Sequence, residues 1–126
     1  MSTSLKDLMQ AANASVPRLG PEEVKQAIKA GDAVLLDVRE EGEVRQSGKL
    51  KGAVWVSRGM LEFRADPELP SHNPALRKDK KVILYCASGG RSALAGKLLK
   101  DFGYTTVYNA GGFKELADAG LATERA

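Results

Sequence analysis

The chain of 126 residues holds one cysteine, one histidine and few aromatic side chains. With Cys86 alone, an internal disulfide and a Cys-rich metal centre are both excluded. The single histidine, His72, sits between Pro70 and Pro74 and is expected in a surface loop. No metal, no other cofactor and no Cys–His catalytic pair is therefore expected. Aromatics are scattered at 6%, and the 19 Lys and Arg against 16 Asp and Glu leave only +3, with no basic stripe. Even the densest stretch, Lys78 to Lys81, is broken by Asp79, so a nucleic-acid partner is not expected. No apolar run approaches the ~20 residues of a membrane span. Met1 to Gly20 carries Asp7 and Asn13 in place of a signal peptide's apolar segment. These absences lead to the expectation of a soluble, cytoplasmic chain without a membrane partner.

What is present fits one globular domain. The 43% hydrophobic content excludes a disordered chain, and a chain of this length hides roughly two-thirds of its unfolded surface. Leu5, Leu8, Met9 and Ala12 follow a helical spacing, which predicts an N-terminal helical extension over 1–16 ahead of a domain over 17–121. Gly20-Pro21-Glu22-Glu23 starts a second helix that Gly31 stops. Ala33 to Val38 reads as a central parallel strand. A short helix is expected within Arg39 to Ser47, and a strand over Gly52 to Val56. In Ser57 to Ala65, Met60, Leu61 and Phe63 are expected to turn inward. Lys81 to Tyr85 reads as a strand running into Cys86, followed by a helix over Ser92 to Phe102 with Leu94, Leu98, Leu99 and Phe102 on its apolar face. A short strand over Thr105 to Asn109, a turn at Ala110-Gly111-Gly112 and a last helix over Phe113 to Ala119 complete the chain. Strands alternating with helices indicate an α/β domain with a parallel sheet covered on both faces. Such sheets bind ligands at the carboxyl ends of their strands. Asp37-Val38-Arg39 and Cys86 to Arg91 fall there.

The chemistry concentrates in Cys86-Ala87-Ser88-Gly89-Gly90-Arg91-Ser92. A lone cysteine at a strand end is often a small buried hydrophobe. Here, however, three sources of positive potential converge on it. The following helix presents unpaired N–H groups and its positive dipole end. Gly89 and Gly90 allow successive N–H groups to form an anion nest, and Arg91 adds a planar cationic fork. Such a cradle favours the thiolate, and it would equally hold an anion bonded to the sulfur.

The chain resembles the rhodanese-like family of single-domain sulfurtransferases over about Arg18 to Gly120. Four ordered pieces carry the resemblance: Leu35 to Glu40, Gly52-Ala53-Val54, Tyr85 to Ser92, and Gly103-Tyr104 through Tyr108-Asn109-Ala110-Gly111-Gly112-Phe113. The family fold implies a single domain with a five-stranded, mainly parallel sheet, helices on both faces, and a short edge strand near Pro17 to Leu19. The family chemistry implies that Cys86 attacks the outer sulfur of an anionic donor such as thiosulfate and becomes a persulfide. A thiol, including a thiol on a partner protein, or cyanide then takes the sulfur. By the same resemblance, Arg91 would orient the donor's oxyanion, the amides of Ala87 to Arg91 would cradle the persulfide, and Ser88 and Ser92 would offer hydroxyl groups. Arg58 follows the second strand and is expected on the sheet edge that carries Cys86, at the pocket rim; Arg64 has a weaker claim to it. Asp37 and Arg39 are expected to brace the architecture, and Tyr85 and Trp55 to pack inside. Two positions depart from the family pattern. Lys49 stands where a His is frequent, and Leu116 stands near a frequent Trp.

Two other classes of function compete with this reading. A Cys-based phosphatase or arsenate reductase would need a wider cradle, with five residues between Cys and Arg, whereas four lie between Cys86 and Arg91. A sulfur carrier or a sulfide- or redox-sensing module would keep the cysteine without turnover.

Overall fold

The computed structural model describes residues 3–126. α1 (Leu5–Ser15) opens with a reciprocal cap, in which the Ser4 hydroxyl accepts the Asp7 N–H and the Asp7 carboxylate accepts the Ser4 N–H. α2 (Pro21–Ala30) has proline at its first position and ends at Gly31, whose φ of 75° suits a left-handed cap. β1 (Ala33–Asp37), α3 (Glu41–Ser47), β2 (Lys49–Leu50) and β3 (Val54–Trp55) follow. A 3-10 turn at Arg58–Met60 leads into α4 (Leu61–Ala65). Then come β4 (Lys81–Cys86), α5 (Gly90–Asp101), β5 (Val107–Gly112), α6 (Phe113–Asp118) and β6 (Thr123–Glu124).

The main sheet has the order β3-β1-β4-β5, and all its pairs are parallel. The expected fifth strand is reduced to a parallel bridge between Arg18 and Asn109, held by Asn109 N–H to Pro17 O and Leu19 N–H to Asn109 O. A second, antiparallel sheet pairs β2 with β6, and there Lys49 Nζ meets Glu124 Oε1 at 2.6 Å. The strand-by-strand alternation of side chains divides the core in two. Leu36, Val82, Leu84, Cys86 and Val107 face α1, α4 and α5, where Val16, Leu61, Ala65, Ala95 and Leu99 meet them. Leu35, Ile83, Tyr85 and Ala110 face α2 and α6, against Val24, Ala27 and Leu116. Parity along β4 thus sends the Cys86 side chain to the α5 side. Among the described residues no helix is long and apolar enough to cross a membrane.

Several expectations are corrected. Met60 and Phe63 are exposed, Phe63 at 53%, because the i, i+4 pair Leu61 and Ala65 takes the core face of α4. Trp55 is half outside, with its ring N–H donated to Arg39 O at 2.8 Å. α5 presses inward chiefly through Ser92, Ala93, Ala95, Gly96 and Leu99; Leu98 and Phe102 only flank the core. A Cβ on Gly96 would lie 3.0 Å from both Val16 methyls, so the small residue permits the close approach of α1. Ala110-Gly111-Gly112 is no turn. β5 runs through it with an irregularity, since Leu84 pairs Asn109 while Cys86 pairs Gly112.

Candidate active site

Cys86 is the last residue of β4, and the chain turns over it before α5 begins. Cys86 is buried, 1% exposed, while Ala87 and Ser88 form an exposed crest above it. The Gly89 N–H donates to Sγ at 3.0 Å. This requires Gly89 to hold φ 103°, a left-handed value that glycine adopts without steric cost. Gly90 opens α5 in ordinary helical geometry with open space at its Cβ position, so only one of the two glycines is demanded by the turn. Burial pushes the Cys86 thiol up. The Ser92 hydroxyl and the backbone N–H groups of Ser92, Ser88 and Gly89 outweigh it and hold the pKa below its ordinary value. Ser88 thus contributes its amide to the sulfur, and Ser92 contributes both amide and hydroxyl.

Ser92 Oγ lies 2.7 Å from Asn109 Oδ1 and 3.4 Å from Cys86 Sγ, so its one proton has two acceptors. The buried Asn109 amide also accepts the Gly111 N–H at 3.0 Å and donates to Gly89 O at 3.0 Å. One side chain therefore ties β5, the turn and α5 together beneath the sulfur. The irregularity in β5 brings Gly112 against the turn, where a Cβ would lie 2.6 Å from Ala87 O.

Arg91 does not hold out an unoccupied fork. Its two terminal nitrogens donate to Glu43 Oε1 at 2.6 Å and Oε2 at 2.9 Å. The Glu43 hydrogen bond, with a smaller contribution from the charge of nearby Cys86, raises the Arg91 pKa. In return Arg91 lowers the Glu43 carboxyl to about 2. Arg58 pairs with Glu62 at 3.1 Å and donates its backbone N–H to Val38 O; it lines no part of the groove beside Ala87. Arg64 donates to Ser71 O at 3.3 Å within its own connection. Lys49, at the position of the family histidine, donates to Ala53 O and Glu124.

Asp37 and Arg39 form a buried strut next to the site. Arg39 Nη2 donates to Asp37 Oδ2 at 2.7 Å, and the guanidinium also donates to Ser47 Oγ and Gly48 O. It lies 4.2 Å from the Phe113 ring centroid. The strut fixes α3, and with it Glu43, against the end of the sheet. Beside the crest, a groove of about 360 Å³ is lined by Arg39, Glu43, Ala87, Phe113 and Lys114, among others. Among the described residues no cluster of three His, Cys, Asp or Glu is placed to hold a metal ion. Glu43, Asn109 and Arg18, whose guanidinium lies against Gly89 and Gly111, are the site residues the sequence reading did not assign.

A family model described as Rhodanese-like domain matches residues 20–119. This chain belongs to the rhodanese-like domain family. A structure from Rhodopseudomonas palustris, a protein of unknown function described as a possible tyrosine phosphatase, is 37% identical with a TM-score of 0.88, covering 98% of this chain and 96% of that one. The polysulfide-sulfur transferase homodimer of Wolinella succinogenes is 32% identical with a TM-score of 0.74, covering 96% and 87%. A tRNA uridine(34) hydroxylase of Onion yellows phytoplasma (strain OY-M) is 34% identical over 94 residues, 75% of this chain and 30% of that protein. This rhodanese-like chain spans about a third of the length of the curated relatives it matches.

Proposed function

We propose that this rhodanese-like domain is a sulfurtransferase that moves sulfane sulfur through a persulfide on Cys86. The observation that carries the reading is the sulfur at the centre of converging N–H and O–H donors, with its pKa lowered in spite of burial. A cradle of this kind stabilises the attacking thiolate and the persulfide anion alike. With thiosulfate as donor, the Cys86 thiolate attacks the outer sulfur, the S–S bond of thiosulfate breaks, and sulfite leaves with the bonding pair. A thiol or cyanide then attacks the outer sulfur of the persulfide and regenerates the thiolate. Thiosulfate is the small-molecule donor for the assay, and the acceptor in the cell is a thiol, including one on a partner protein. The Wolinella relative's name supports sulfur transfer on this fold.

The description of the Rhodopseudomonas neighbour favours a phosphatase as the second reading. Four residues between Cys86 and Arg91, and an Arg91 fork already closed by Glu43, weigh against a tetrahedral phosphate. The hydroxylase name belongs to proteins about three times as long, and the likeness there supports a shared domain. Steady-state formation of thiocyanate from thiosulfate and cyanide, measured beside hydrolysis of p-nitrophenyl phosphate, tests the reading. Multiple turnovers to thiocyanate with no phosphate release are expected. Phosphate release alone would establish the phosphatase. Stoichiometric loading without turnover would leave a sulfur carrier.

A further inference from the structure

The Arg91–Glu43 contact is a two-pronged pair between side chains 34% and 35% exposed, so it stands at the mouth of the site rather than deep beneath it. Glu43 is also an acidic side chain lining the groove beside Ala87, which it shares with Phe113 and Lys114. A dianionic donor arriving at the crest must either meet the Glu43 carboxylate or displace it from Arg91. Like charges brought together, or a charge-assisted pair broken, each weigh against that donor. An organic persulfide, R–S–SH, has no oxyanion to place and does not need the fork.

Resting on the sulfurtransferase reading, we infer that Glu43 is a specificity-determining residue that occupies the Arg91 fork and shifts the site's preference from thiosulfate toward organic persulfides. With such a donor the Cys86 thiolate attacks the outer sulfur, the donor's S–S bond breaks, and R–S⁻ leaves while Cys86–S–SH forms; no oxidant or reductant is consumed. Because Arg91 holds the Glu43 carboxyl at about 2, the carboxylate is charged at every pH where the enzyme is expected to work. Glu43 reaches the fork from α3, 48 residues away in sequence, and its Oε1 also accepts the Glu40 N–H at 3.0 Å. Glutamine at this position keeps one acceptor oxygen for that cap, removes the charge, and sets an NH2 donor where the second oxygen met Arg91, so the fork opens.

The test is the rate of sulfur loading on Cys86, followed by intact mass, from thiosulfate and from the persulfide of 2-mercaptoethanol. Wild type, Glu43→Gln and Glu43→Gln/Arg91→Ala are compared. The ratio of thiosulfate to organic persulfide rates is expected to rise roughly tenfold in Glu43→Gln and to fall back when Arg91 is also removed. A ratio unchanged in Glu43→Gln, with both rates moving together, would overturn the inference and leave Glu43 as a strut that positions Arg91. The sulfurtransferase reading would survive that result. Failure of wild type to load sulfur from either donor would instead overturn both.

Discussion

At Cys86 burial and hydrogen bonding oppose each other, and the donors win: the thiol is pushed up by desolvation and brought below its ordinary pKa by Ser92, Ser88 and Gly89. Alkylation by iodoacetamide against pH should therefore show a midpoint below that of a free cysteine thiol. Ser92→Ala should move that midpoint upward; a midpoint unchanged by Ser92→Ala would mean that its hydroxyl serves only Asn109. Asn109 makes its own case for measurement, because one amide satisfies Ser92 Oγ, Gly111 N–H and Gly89 O. Asn109→Ala strands the Gly111 N–H, while Ser92 Oγ keeps Cys86 Sγ and Gly89 O keeps the Ala93 N–H, and it should cost roughly 1–3 kcal/mol in urea unfolding. It should also slow sulfur loading, because the Gly89 turn loses its anchor. The cysteine and the turn over it were legible in the sequence because Cys86 to Ser92 is one contiguous segment. Glu43 and Asn109 were not, because they reach the turn across 48 and 20 residues and their own neighbours in sequence give no hint of it.

The secondary-structure elements place these residues, and their irregularities matter most. The step in pairing between β4 and β5 sets Gly112 opposite Cys86 and under the crest. Gly112→Ala would push a methyl to 2.6 Å from Ala87 O, backbone that must shift to relieve it. Sulfur loading should fall more than tenfold, while thermal unfolding stays cooperative; loading at the wild-type rate would show that the crest moves freely. The buried Asp37–Arg39 pair joins the end of β1 to α3 and α6. Asp37→Ala strands the Arg39 charge and should destabilise the fold by about 3–5 kcal/mol. β1 and β4 were readable as continuous apolar runs, since both of their faces are covered. The two-residue strands β2 and β6 were not, because their pairing joins segments more than 70 residues apart and leaves no periodicity in either. The turn expected at Ala110 to Gly112 failed for a related reason. Glycines suggest a break, whereas here they let a strand pass close to the crest and to Arg18.

Across the whole molecule, the sheet is an organiser with two separately packed faces, and the site lies where β1, β4 and β5 end together. That arrangement was legible from the alternation of strands and helices. Which side of the sheet carries the sulfur followed only once β4 was in register. The Glu43 carboxyl links the site to overall stability. Its folded pKa of about 2 lies below its ordinary value of 4.5, so its pairing stabilises the fold above pH 4.5 and is lost as pH falls through 2. Because both partners are a third exposed, solvent screens the effect and the contribution is modest. Urea unfolding in this window should show a shallower loss for Glu43→Gln than for wild type; identical slopes would mean that Arg91 stabilises the protonated carboxyl equally.

Intact mass spectrometry of the whole chain after incubation with thiosulfate or an organic persulfide decides whether the Cys86 cradle holds a sulfur anion. A gain of one sulfur, ~32 Da, that cyanide or dithiothreitol erases and that Cys86→Ser does not acquire is the expected result. A Cys86→Ser protein that gains the same mass, or a wild-type protein that gains none from either donor, would contradict the account.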